Sequence, residues 1–204
     1  MNKVGIINYG AGNIASLINA IEYLGYKPVI LDKPEKNYDF SHLILPGVGA
    51  FGKLSKNLNQ LGFNEYLIKN KELGCYILGI CVGMQLLFES SNEGKDQKGL
   101  SFIKGNFELF GTKNKTLAIP HVGFNNIKHN NEKIWENINT DSSFYFIHSY
   151  RIKKVPIDCE YATSEYGEKF ISFVRKNNIL GSQFHPEKSH KNGLNFLKNF
   201  LKLN

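Results

Sequence analysis

Tyr76-Ile77-Leu78-Gly79-Ile80-Cys81-Val82-Gly83-Met84-Gln85-Leu86-Leu87-Phe88 changes its hydrophobic period partway along. The first five residues are a continuous apolar run of strand length, which reads as a strand buried on both faces. Met84, Leu87 and Phe88 then recur at helical spacing. At the junction stands Cys81, with glycines two residues away on each side. A strand that turns directly into a helix forces its turn residue into a strained conformation, and flanking glycines relieve the crowding, as in the nucleophile elbow G-x-S-x-G with sulfur in place of oxygen. The following helix adds its N-terminal dipole and free amides, which favour a thiolate. The pentapeptide alone reads equally well as a buried structural cysteine, because free cysteine is among the most buried residue types.

Upstream, strands alternate with helices. Lys3 to Asn8 is an apolar run ending in Tyr9-Gly10-Ala11-Gly12-Asn13, after which Ile14, Leu17, Ile18, Ile21 and Leu24 repeat at helical spacing up to Gly25. The Gly-x-Gly after a strand is half of a dinucleotide fingerprint, but Ala15 stands where the third glycine belongs, so cofactor binding is only a weak signal. Lys27 to Leu31 and His42 to Leu45 are further strands, the second stopped by Pro46-Gly47-Val48-Gly49, and helical material runs on to about Leu73. This alternation predicts a parallel sheet with helices on both faces and a site beyond the carboxyl ends of its strands. Tyr9-Gly10, Pro46 to Gly49 and Cys81 all fall at such ends.

After the polar stretch Ser90 to Gly99 the pattern changes. Phe107–Phe110, Leu117–Ile119, Asn125–Lys128, Ser143–Tyr150, Glu160–Thr163, Lys169–Val174 and Ile179–Phe184 are short strands without intervening helices. Hairpins at Tyr166-Gly167-Glu168 and Lys176-Asn177-Asn178 fit an antiparallel layer that extends the first sheet. A helix from about Lys191 closes the chain. At 204 residues and 42% hydrophobic content, one domain over residues 1–204 is expected. No apolar run is long enough to span a membrane. Cys75, Cys81 and Cys159 are odd in number and lack metal spacing, which predicts neither a disulfide framework nor a metal site and points to a reducing cytoplasm. The formal charge of +7 comes from dispersed lysines, with Arg151 and Arg175 the only arginines. A solvated basic face is expected, able to attract an acidic partner or a phosphorylated substrate, rather than a nucleic-acid site.

A cysteine nucleophile needs a base and a group to orient that base. Of six histidines, His185 stands out in Gln183-Phe184-His185-Pro186-Glu187. On an extended segment, His and Glu at i and i+2 point to one face, so the carboxylate can hold the imidazole's tautomer. A histidine before proline is commonly structural. The glutamate two residues on and the cysteine elbow favour the set Cys81, His185 and Glu187. His148, in an aromatic strand, reads as structural or as lining a substrate pocket.

Gly79-Ile80-Cys81-Val82-Gly83-Met84-Gln85, Pro46-Gly47-Val48-Gly49 and Gln183-Phe184-His185-Pro186-Glu187 resemble the three signatures of class I (triad-type) glutamine amidotransferases. Tyr9 to Asn13, Pro120-His121-Val122-Gly123-Phe124-Asn125, Phe144 to Tyr150 and Glu187-Lys188-Ser189 are similar to the glutaminase subunits of imidazole glycerol phosphate synthases. The likeness runs in order over essentially the whole chain. It implies a three-layer flavodoxin-like fold with a mainly parallel sheet and an antiparallel extension. It also implies hydrolysis of L-glutamine without a cofactor, with Cys81, His185 and Glu187 catalytic. By the same likeness, Val48, Gly49 and Val82 form the oxyanion hole, and Gln85, Glu93, His148, Ser149 and Tyr150 bind substrate. The implied partner is a (β/α)8-barrel synthase subunit, joined in a heterodimer with an ammonia tunnel and faced by Asn13, Phe124, Tyr145 and Lys188. In this family the oxyanion strand is thought to reorient when the partner is loaded. The sequence departs from the pattern at Phe124, where tryptophan is usual, and at Lys53-Leu54-Ser55, where a more acidic or proline-containing stretch is common. These departures leave open a paralogous synthase that aminates nucleotide-sugar precursors for surface glycans. A stand-alone cysteine hydrolase is disfavoured by His-Pro-Glu-Lys-Ser, and an inactive scaffold by the complete triad.

Overall fold

The structure, a computed structural model, describes residues 3–12, 14–36, 39–94, 97–111, 117–130 and 132–204. Its frame is a seven-stranded sheet made of β1 (Val4–Ile7), β2 (Val29–Leu31), β3 (His42–Leu45), β4 (Tyr76–Ile80), β10 (Glu160–Tyr166), β11 (Glu168–Lys176) and β12 (Ile179–Ser182), in the spatial order β10-β11-β12-β4-β3-β1-β2. From β12 to β2 all pairings are parallel. β10, β11 and β12 pair antiparallel, as the two hairpin turns predicted. β1, β3 and β12 are buried at every residue, the expected signature of strands covered on both faces.

The helices are α1 (Ala15–Tyr23), α2 (Phe51–Gln60), α3 (Phe63–Glu72), α4 (Val82–Leu87) and α5 (His190–Leu201). α1 buries Leu17, Ala20 and Ile21, and α5 buries Phe196, Leu197, Phe200 and Leu201. Each fully buried side chain of this kind stabilises by about 1.5–3 kcal/mol. The long helical segment after Pro46 is two helices, because Gly62 adopts a left-handed conformation (φ 78°) that ends one and starts the next.

The second half departs from the expected single layer. β5 (Ser90–Ser91), β6 (Asn106–Leu109) and β9 (Tyr150–Arg151) form one small sheet, and β7 (His121–Asn126) with β8 (Ser143–His148) forms a separate ribbon. The ribbon region meets the edge strand β10 at one isolated bridge, Lys128 to Thr163, beside a bulge at Ala162/Thr163. A bulge breaks the regular row of edge hydrogen bonds, so pairing cannot propagate. Leu117–Ile119 is not a strand: the Ala118 carbonyl accepts the Tyr166 hydroxyl (2.8 Å) rather than a ladder amide. The predicted strand Ser143–Tyr150 divides at Ser149 into β8 and β9. The small sheet is tied to the hairpin by Arg151, 3% exposed, which bonds Glu108 (3.1 Å) and Glu168 (2.7 Å). Among the described residues, no helix is long and apolar enough to cross a membrane.

β4 lies between β3 and β12 near the middle of the sheet, so the segments leaving the C-terminal ends of β3, β4 and β12 converge. That is where chemistry is expected in an open α/β sheet.

Candidate active site

Cys81 occupies the turn between β4 and α4 with φ 54° and ψ −110°, a strained conformation for a residue with a side chain. The surroundings hold it there. Its N–H donates to Ser182 O (2.7 Å), which extends the β4–β12 pairing by one residue. The flanking glycines are required by close packing: a Cβ on Gly79 would lie 2.5 Å from Gly83 O, and one on Gly83 only 1.9 Å from Leu45 O. The thiol is 4% exposed. It donates toward Ile147 O at 3.6 Å and receives the Gln183 Nε2 amide at 3.7 Å.

His185 leaves β12 in extended conformation, followed by a short 3₁₀ turn, Pro186–Lys188. Its Nδ1 meets Glu187 Oε1 at 2.7 Å, the i and i+2 arrangement read from the sequence. Nε2 is buried without an aligned hydrogen-bond partner, yet lies close enough to Cys81 for the two to share charge. Burial opposes an imidazolium, but the thiolate of Cys81 and the Glu187 carboxylate outweigh it and hold His185 at about 10. The imidazolium is the form of His185 that this environment favours. Three hydrogen bonds clamp the segment: His185 N–H to Tyr145 O (2.9 Å), Tyr145 N–H to Ser189 Oγ (2.9 Å) and Ser189 Oγ–H to His185 O (2.6 Å).

Cys81 and His185 open onto a cavity of about 250 Å³, also lined by Val48, Gly49, Val82, Gln85, Glu93, His148, Ser149 and Tyr150. Every catalytic, oxyanion and substrate residue expected from the sequence borders it except Glu187, which stands behind His185. Gln85 is 2% exposed, its Oε1 accepting Ser91 Oγ–H (3.3 Å), so it is no surface helix residue. Glu93 Oε2 accepts the Phe51 amide (3.1 Å), which caps α2 from a distance, and burial pushes its carboxyl up. His148 donates Nδ1–H to Tyr150 O (2.8 Å). A carbonyl only accepts, so in the neutral ring Nε2 must accept, here from His121 Nδ1–H at 3.1 Å. Burial lowers His148 to about 3 and His121 to about 4, keeping both neutral. His148 therefore lines the cavity with ring surface and offers no second base.

Two of the three expected oxyanion residues, Val48 and Val82, have their amides turned to carbonyls. The Val48 amide donates to Ala11 O (3.3 Å) and the Val82 amide to Gly47 O (3.4 Å). The Tyr9 hydroxyl donates to Pro46 O, a second tie between the β1 loop and this segment. Gly49 has φ 145°, which only glycine adopts readily.

Of the residues expected to face a partner, Asn13 lies outside the described residues. Phe124 is half exposed, packed edge-on to Tyr145 and stacked on His190 at 5.2 Å. Lys188 is exposed, with Nζ 5.7 Å from the Tyr145 ring centre. Val48, Val122 and Ile147 are also exposed apolar residues, and Val48 and Ile147 border the cavity.

Sequence reasoning missed Tyr9, Ser91, Gln183 and Ser189 as supports of the site. Their contacts join segments far apart in the chain, and only Gln183 and Ser189, flanking the His-Pro-Glu segment, carried a local signal. Among the described residues no group of three or more His, Cys, Asp or Glu could hold a metal ion.

The family Glutamine amidotransferase class-I matches residues 5–203. The imidazole glycerol phosphate synthase subunit HisH of Sulfurimonas denitrificans is 41% identical over 98% of this chain and 97% of its own length. The subunit of the same name from Methanocaldococcus jannaschii is 42% identical over 98% and 99%. Among solved structures, PurLQS from Thermotoga maritima superposes with a TM-score of 0.76 at 17% identity, over 98% of this chain and 97% of that one, which speaks to the fold alone.

Proposed function

Since the chain belongs to the glutamine amidotransferase class-I family, we propose that it is the glutaminase subunit of an imidazole glycerol phosphate synthase in histidine biosynthesis. The observation that carries the activity is Cys81 at its strained turn beside the His185–Glu187 pair, opening on one cavity. We read residues 1–204 as one unit of this kind. The nucleotide-sugar alternative is not favoured, since the relatives bear the synthase name along nearly the whole chain.

The reaction follows from the geometry. The Cys81 thiolate attacks the side-chain carbonyl carbon of glutamine, forming a carbon–sulfur bond and a tetrahedral oxyanion. The His185 imidazolium gives its Nε2 proton to the departing nitrogen, the carbon–nitrogen bond breaks, and ammonia leaves a thioester. Water then attacks the thioester while His185 takes its proton. The carbon–sulfur bond breaks, releasing glutamate and restoring the thiolate. Glu187 keeps Nε2 directed at the sulfur throughout. The oxyanion requires amides aimed at it, worth about 3 kcal/mol each in comparable sites. Here Val48 and Val82 donate to carbonyls, so the Pro46–Gly49 segment must turn before the oxyanion is fully held. The two amide bonds that must break, from Val48 and Val82, are long at 3.3 and 3.4 Å, and Gly49 supplies the backbone freedom.

The ammonia acceptor belongs to a separate barrel-shaped synthase subunit in this reading. Supporting such a partner is the face formed by Phe124, Tyr145, Lys188, Val122 and Ile147, on which Phe124, Val122 and Ile147 are exposed and Ile147 borders the cavity. The test is glutamate release by the purified chain, alone and with a histidine-pathway barrel synthase carrying its nucleotide ligand. Strong stimulation is expected; full activity without a partner would overturn the subunit reading. Cys81→Ala should abolish release and leave partner binding intact, and residual hydrolysis would remove Cys81 from the mechanism.

A further inference from the structure

Gln183 is fully buried at the end of β12, and its carboxamide oxygen has no hydrogen-bond partner. Its Nε2 lies 3.7 Å from Cys81 Sγ, on the opposite terms from Ile147 O at 3.6 Å. A buried carboxamide left half satisfied costs stability that an apolar side chain of the same size would not, so its place beside the reacting sulfur calls for a chemical reason. The two contacts have opposite preferences. The Ile147 carbonyl accepts only from a protonated thiol and repels a thiolate. The Gln183 amide donates to a thiolate and gains little from a thiol. The backbone of Gln183 is fixed by its N–H to Ser172 O (2.9 Å), and Cys81 by its N–H to Ser182 O, so the side-chain amide is held against the sulfur by adjacent sheet bonds.

We propose that Gln183 is a positioning residue that stabilises and aims the Cys81 thiolate, offsetting the carbonyl of Ile147. This deepens the glutaminase reading and rests on Cys81 being its nucleophile. With the donor gone, the Ile147 carbonyl is opposed by His185 alone, and the sulfur keeps its proton to higher pH. Attack on the substrate is slowed, while glutamine binding, which does not involve Gln183, is unchanged.

The experiment is the pH profile of iodoacetamide alkylation, read by mass spectrometry on the Cys81-containing peptide, for the parent chain, Gln183→Met and Gln183→Glu. Cys75 and Cys159, both buried and remote from Gln183, serve as references. Loss of one hydrogen bond to a charged sulfur should move the half-maximal alkylation of Gln183→Met up by about one pH unit. Gln183→Glu keeps the shape and places a negative group beside the thiolate, so its profile should move further. A role in packing alone lowers melting temperature without moving the profile; an unmoved or downward-shifted profile in Gln183→Met overturns the proposal. Should the methionine variant not fold, Gln183→Leu, which also removes the donor without adding charge, decides in its place. The profile reports on the sulfur whether or not glutamine is hydrolysed, so failure of the glutaminase reading (Cys81→Ala remaining active) is distinguishable from failure of this one.

Discussion

Replacing Ser189 by alanine tests whether the base is held by the clamp that joins it to β8. The hydroxyl accepts the Tyr145 amide at 2.9 Å and donates to His185 O at 2.6 Å. The two losses are unequal. His185 O keeps a second donor, the Lys188 amide at 3.1 Å, whereas the Tyr145 amide points with its own carbonyl away from β7 and toward the His185 segment, where Ser189 receives it. Stranding a part-buried donor costs about 1–2 kcal/mol, and the second bond adds under 1, for a total of about 2 kcal/mol. In a chain of this size that lowers the melting temperature by about 4–8 °C. Ser189 does not border the cavity, so KM should stay constant. His185 loses one of the bonds fixing it relative to the sulfur, and kcat should fall about tenfold. The assays are a thermal melt and steady-state glutamate release in the presence of the partner. A melting temperature unchanged within a degree would mean that the clamp does not form. A lower melting temperature with unaltered kcat would mean that it carries stability and has no part in positioning the base.

Glu187→Gln removes the carboxylate that fixes Nδ1–H and supports the imidazolium, so kcat should drop about 10³-fold with little change in KM, and a loss under threefold would place the orienting group elsewhere. The pH dependence of folding has a definite sign. Burial lowers His42 and His121 to about 4 and His148 to about 3, below the unfolded value near 6.5. The stability they contribute is complete above pH 6.5 and is lost as pH falls toward 4, because the unfolded chain takes up the protons first. Denaturant midpoints should hold level from pH 7.5 to 6.5 and fall from there to 4.5, and His121→Phe, which keeps the stacking between Phe146 and Tyr166, should flatten that fall; a parent chain with constant midpoints down to pH 4.5 contradicts the argument.

The parallel half of the fold and the grouping of Cys81, His185 and Glu187 were legible because their signals are local. A strand of Tyr76–Ile80 followed by helical spacing needs only ten residues to be recognised, and His185 and Glu187 sit two apart. The antiparallel half was legible as strands but not as sheets, because the assignment of β7 and β8 to their own ribbon depends on a bulge in β10, a feature with no residue signature at Ala162-Thr163. The division at Ser149 was hidden for a related reason. His148 bends inward to donate to Tyr150 O, and only the three-dimensional pairing of Arg151 with Glu108 shows that the chain has joined another sheet. The tautomers of His121 and His148 also required coordinates, since their order is fixed by a single carbonyl at the end of the string.

β8 ties these observations together. Its side chains alternate, with Phe144, Phe146 and His148 buried and Tyr145 and Ile147 facing outward. Its backbone does the opposite work at the outward-facing residues: Tyr145 O receives the amide of His185, and Ile147 O receives the thiol of Cys81. The strand segment whose surface is open to a partner therefore holds the base by one carbonyl and opposes the thiolate with the next but one. A displacement of β8 by well under an ångström alters both contacts together, because hydrogen bonds of this length weaken steeply with distance and angle. A partner that presses on Phe124, Tyr145 and Ile147 thus has a physical route to the charge state of the sulfur that does not pass through the Pro46–Gly49 segment. Moving Ile147 O away from Sγ would favour the thiolate, and moving it closer would favour the thiol, so the sign of the effect follows from the direction in which the strand is pushed.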